Sequence, residues 1–115
     1  MSNEPRRYRN ISLAVTNSSQ DAYTCPANTT TIVKEIIVTN IDGTNNADIT
    51  LDLHDGSAGS AKSFVSTKQV NADDFFRMDT ANIYLEASDK IQAVASATGD
   101  LNLFLFLEEY YDPSR

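Results

Sequence analysis

Residues 83–107, IYLEASDKIQAVASATGDLNLFLFL, decide the fold. They read as a short strand at 83–85, a turn over 87–90, a strand of small and branched residues at 91–97, and a last strand from Leu101. Thr98-Gly99-Asp100 reads as a hairpin connection, because glycine beside aspartate tolerates the positive backbone angles such turns need. In the last strand Leu101, Leu103, Leu105 and Leu107 recur at the period-two spacing of one sheet face, while Phe104 and Phe106 take the other. A strand apolar on both faces has to be covered on both. One small sandwich covers only one of them, so the second face points to a partner, and to assembly rather than catalysis.

Working outward, the same alternation recurs. Residues 8–16 place Ile11, Leu13 and Val15 on one face, and residues 47–55 place Ile49, Leu51 and Leu53 inward with Asp48, Thr50, Asp52 and His54 toward water. TTIVKEIIVTN at 30–40 is rich in threonine and branched residues but keeps no single phase, and a bulge near Lys34 and Glu35 reconciles it. IDGTNN at 41–46 contains Asp42-Gly43, the strongest hairpin signal in the chain. GSAGS at 56–60 is a flexible loop, and 62–70 a weak strand. Residues 71–80 read as a connection pinned by Phe75, Phe76 and Met78, with room for one helical turn. No stretch shows sustained helical periodicity. The fold class is therefore all-β, a single antiparallel β-sandwich of about eight strands, with jelly-roll and immunoglobulin-like Greek key topologies both open.

The expected organisation is a flexible arm at 1–7, a sandwich domain at 8–110 and a tail at 111–115. At 115 residues the chain is long enough to bury one core without staples. Its net charge of −7 is uneven: Arg6, Arg7 and Arg9 against Glu4 leave residues 1–9 at +2, so the other 106 carry −9. A body this acidic repels phosphate backbones, which argues against nucleic acid as a partner. One cysteine, Cys25, excludes an internal disulfide and a multi-cysteine metal site, and is expected to be a buried structural thiol. The opening MSNEPRRYR lacks the apolar core of a signal peptide, and no apolar run reaches membrane-spanning length, so folding in a reducing cytoplasm is expected and a membrane partner is not. The sequons at Asn10, Asn17 and Asn28 are then products of an Asn- and Thr-rich composition.

Chemistry-bearing groups are sparse. The single histidine, His54, lies on a water-facing position, and neither Ser57, Ser60 nor Cys25 sits in a nucleophile elbow beside it. Asp42, Asn45, Asn46 and Asp48 crowd one turn and Asp73, Asp74 and Asp79 another, yet neither follows a spaced calcium-loop pattern. Four glycines do not make a phosphate cradle. No catalytic residue, metal or cofactor is assigned. The residues that stand out are apolar ones without an evident home: Phe104, Phe106 and Tyr110 as a subunit interface, with Arg6, Arg7 and Arg9 as an arm for carboxylates on a neighbour.

The runs AYTCPANTTTIVKEIIVTNIDGTNNADITLDLHD (22–55) and IYLEASDKIQAVASATGDLNLFLFLEEY (83–110) resemble small β-sandwich virion proteins of tailed bacteriophages. The shared pattern is an xYxxPxxTxxIVKxIxVxN opening, an alternating xxITLxL strand and an LxAxDxIxAxASxxGxLNxxLxxLE close, over about residues 21–109. One departure is Ser88, where glycine before the aspartate is more usual. The resemblance implies a non-enzymatic capsid decoration or cement protein in the virion, assembled in the host bacterial cytoplasm, a homo-oligomer with a trimer favoured, bound to the major capsid protein or other virion subunits. It transfers no functional residues. A head-fibre protein or a neck or tail accessory subunit is the alternative within the particle. A carbohydrate-binding module is the alternative of another class, with Tyr23, Tyr84 and Tyr110 as its stacking platform.

Overall fold

A computed structural model describes residues 6–79 and 82–114. Nine strands run in chain order: β1 (Arg6–Ala14), β2 (Gln20–Thr24), β3 (Thr29–Asn40), β4 (Ala47–Asp55), β5 (Ser60–Val70), β6 (Phe75–Met78), β7 (Ile83–Leu85), β8 (Lys90–Ala95) and β9 (Leu101–Tyr111). They form two antiparallel sheets. The first has the order β1-β9-β3-β6 with β7 also on β3, and the second the order β2-β8-β4-β5.

This order settles the topology. Most connections cross from one sheet to the other, and β6 and β7 share one edge of β3 as two short pieces of a single strand position. Eight positions wound this way are a jelly roll rather than an immunoglobulin-like key. Phe75–Met78 is therefore a strand, where a connection was expected. Two turns expected to close hairpins instead carry the chain between sheets. Asp42 makes its corner with its side chain, Oδ1 accepting the amides of Thr44 at 2.7 Å and Asn45 at 3.0 Å. Gly99 takes φ +92 at the corner between β8 and β9. The connection that does close a hairpin is Asp55 to Ser60, within the segment read as a flexible loop.

The leucine row of β9 lies inside, with Leu101 and Leu105 at 0% exposure, packed with Ile36, Val38, Ile49, Leu51 and Ile91 from both sheets. The lost phase of β3 is the expected bulge: Val33 pairs Leu107 and Glu35 pairs Phe106, leaving Lys34 as the extra residue. Cys25 is buried, as its composition context implied.

The ordered domain reaches further than 8–110. β1 starts at Arg6, inside the segment expected to be an arm, because Arg6 and Arg7 extend the ladder opposite Tyr110 and Glu109, and β9 runs to Tyr111. The rest of the expected arm, residues 1–5, lies outside the described residues.

Candidate assembly interface

Residues paired across a ladder share a face, so the register assigns the outer surface of the first sheet. β1 contributes Arg6, Tyr8, Asn10, Ser12 and Ala14; β9 contributes Tyr110, Glu108, Phe106, Phe104 and Asn102. β3 adds Ile32 and Ile37, and the far edge adds Tyr84 and Phe75. Tyr8 is 69% exposed, Tyr84 68% and Phe75 60%. Phe104, Phe106 and Tyr110 lie half-buried among them.

The outer surface of the second sheet is different in kind. Its paired positions hold Asp21, Asp48, Thr50, Asp52, His54, Lys90, Gln92 and Val94. Gln92 Nε2 and Lys90 Nζ donate to the two oxygens of Asp21 at 2.9 and 3.1 Å, which holds that carboxyl below its ordinary range. Ser63 donates to Asp52 at 2.6 Å. One sheet thus presents hydrogen-bonded polar groups to water, and the other presents rings.

The three arginines do not form one patch. Arg6 points outward with its guanidinium 5.4 Å from the centroid of the Tyr8 ring. Arg7 and Arg9 occupy the inward positions of β1 and converge on Glu109. Arg7 Nε and Nη2 donate to Oε1 at 3.0 and 2.7 Å, and Arg9 Nη1 donates to Oε2 at 3.1 Å. Glu109 is 3% exposed and also accepts the hydroxyl of Tyr23. Thr31 Oγ1 lies 2.8 Å from that hydroxyl. Burial pushes the Glu109 carboxyl up, but the bonds from Tyr23, Arg7 and Arg9 outweigh it and hold it below its ordinary value. Burial, and then the neighbouring carboxylate, push the Tyr23 phenol up. Sequence reading missed this cluster, although its signal is present: position 109 continues the inward row of 101, 103, 105 and 107.

Tyr23 is 5% exposed, so it cannot share a stacking platform with Tyr84 and Tyr110. Its aromatic ring is needed inside, against the core beneath Glu109. His54 is half-buried on the polar sheet, opposite Lys90. Among the described residues no group of three or more His, Cys, Asp or Glu side chains could hold a metal ion.

Two shallow clefts mark the aromatic face. One, of about 310 Å³, is lined by Tyr8, Asn10, Lys34, Phe106 and Glu108. The other, of about 230 Å³, lies further along β1 and β9 between Ser12, Ala14, Asn102 and Phe104.

No family model matches the chain, and no curated protein sequence does. Solved structures do match. A protein of the Bacillus endospore appendages, a family of disulfide-linked pili, superposes with a TM-score of 0.55 at 14% identity, over 93% of this chain and 87% of that one. The Drosophila NLP-core, studied for pentamer formation and histone binding, gives 0.55 at 9% identity, over 93% and 98%. A chain of the acid-stable capsid of the Helicobacter pylori bacteriophage KHP30 gives 0.52 at 7% identity, over 91% and 86%. At these identities the likeness is one of fold.

Proposed function

We propose that this chain is a non-enzymatic structural subunit of a phage virion, in the decoration role: it binds the shell built by the major capsid protein and associates with its own copies. The observation that carries the reading is the difference between the two outer surfaces, one polar and internally hydrogen-bonded, the other lined by Tyr8, Phe104, Phe106, Ile37, Tyr84 and Phe75. A monomer has no use for rings on that scale at its surface, whereas interface cores are enriched in them. The resemblance of residues 21–109 to phage sandwich proteins, and a fold shared with a phage capsid chain, agree with this.

Phe104, Phe106 and Tyr110 form the subunit contact in this reading. Arg6 offers its guanidinium to carboxylates on the shell, while Arg7 and Arg9 serve the fold through Glu109. Cys25 is buried, so copies are held by packing and not by a disulfide.

The test is mass spectrometry and density-map reconstruction of gradient-purified particles from the strain that encodes the chain. The chain is expected at fixed stoichiometry on the outer surface of the head. Its absence from particles would remove the role, and density at the neck or tail would replace decoration with an accessory position.

A further inference from the structure

The aromatic face carries a projection and a recess placed so that they can exchange between two copies. Tyr8 stands 69% exposed at one end of β1, steadied by the Arg6 guanidinium over its ring. At the other end of the same strand is the cleft of about 230 Å³ between Ser12, Ala14, Asn102 and Phe104. The cleft is shallow and open to solvent, a depression bordered by the Phe104 ring on one side and the small Ala14 on the other. Ser12 and Asn102 supply a hydroxyl and an amide for a phenol.

The spacing is symmetrical. Tyr8 and Ala14 each lie three residues from Ile11, which pairs with Leu105; at strand rise that is about 10 Å on either side. A two-fold axis crossing β1 and β9 at that row turns one copy over onto the other with strands antiparallel. It sets each Tyr8 over the partner's recess and each Phe106 against the partner's Phe104.

We infer that this face recognises a second copy of this chain in an isologous, face-to-face dimer, with Tyr8 as the knob and the Ser12–Ala14–Asn102–Phe104 cleft as its socket. The inference rests on the proposed assembly role only in taking this face as a contact surface. Charge selects the same occupant. The chain carries −7, so two copies repel through most of their surfaces, but the ionic groups of this face are Arg6, Lys34 and Arg77 against Glu35 and Glu108, close to neutral. Strand and inter-strand spacings give the face on the order of 600 Å² per copy, which for two copies reaches the lower end of specific interfaces. The arrangement is two-fold, in place of the trimer implied by the phage resemblance.

Sedimentation equilibrium of the full chain tests it. The native chain is expected to be a dimer in the micromolar range. Tyr8→Ser and Ala14→Phe, both at exposed positions, are each expected to weaken dimerisation by about tenfold or more. The double variant, which exchanges knob and socket, is expected to recover much of that loss. Val94→Lys on the polar sheet leaves it unchanged, and circular dichroism melts establish that each variant is folded. A native chain that stays monomeric, a trimer or ring, or a dimer indifferent to Tyr8 and Ala14 overturns the inference. A monomeric chain found on particles overturns the two-fold and leaves the virion role standing; a dimer absent from particles does the reverse.

Discussion

Glu109 and Tyr23 meet across the interior: the carboxylate that ends the inward row of β9 accepts the hydroxyl of Tyr23, which reaches it from β2 in the opposite sheet. Arg7 and Arg9 close the same carboxylate from β1. One buried anion thereby joins both sheets and the first strand, none of whose residues is fully buried.

Removing that anion leaves the buried Tyr23 phenol with Thr31 alone and releases Arg7 and Arg9, whose side chains are 65% and 37% exposed, to water, so Glu109→Ala is expected to destabilise the fold by about 1–3 kcal/mol. Urea unfolding measures it. Hydrogen exchange is expected to show β1 losing protection before β3 or β8. Protection lost evenly across all strands would mean that Glu109 supports the core as a whole and not the first strand.

The same group sets an acid limit. Its folded pKa lies below the ordinary 4.5, so the unfolded chain binds the proton more readily. Its contribution is fully present above about pH 5 and is lost as pH falls through the folded pKa. The melting temperature is expected to hold from pH 7 to about pH 5 and to fall below that, and to fall less steeply in Glu109→Gln. Parallel acid limbs for the two proteins would assign the loss to other carboxylates.

The turn before β8 holds a strained residue. Ser88 has φ +74, a conformation that costs a residue with a side chain about 1–2 kcal/mol. Ser88→Gly is expected to raise stability by roughly 1 kcal/mol. Its neighbour tolerates nothing larger: a Cβ on Gly56 would lie 2.6 Å from the Ser88 carbonyl oxygen, so Gly56→Ala is expected to cost about 1–3 kcal/mol. Thermal melts of the two variants should shift in opposite directions.

Cys25 is 2% exposed, with its sulfur 3.3 Å from the Thr29 carbonyl oxygen, and burial pushes its thiol up. A protonated, enclosed thiol is a poor nucleophile. Labelling with a thiol reagent is expected to be slow in the native state and fast in urea, and non-reducing gels are expected to show single chains. Equal rates in both states would contradict the burial.

Periodicity was enough for several of these features. Alternation in 47–55 and 101–107 divided inward from outward residues as the structure does, and the broken phase of 30–40 located the bulge at Lys34. The period also reached Glu109, since an odd-numbered residue continuing Leu101 to Leu107 has to face inward. Its identity as a charge hid it.

What the sequence by itself determined is which residues turn and which side of a strand each occupies, because backbone sterics and the two-residue repeat are local. Only the tertiary structure decided which strands become neighbours. Asp42-Gly43 and Thr98-Gly99-Asp100 reverse the chain as their residue types require, yet each sends it to the other sheet, and Phe75–Met78 is a strand because β3 offers it an edge. Pairing depends on burying apolar rows contributed by segments far apart in the chain, such as Leu13 opposite Leu103, and no local window contains both partners of such a contact.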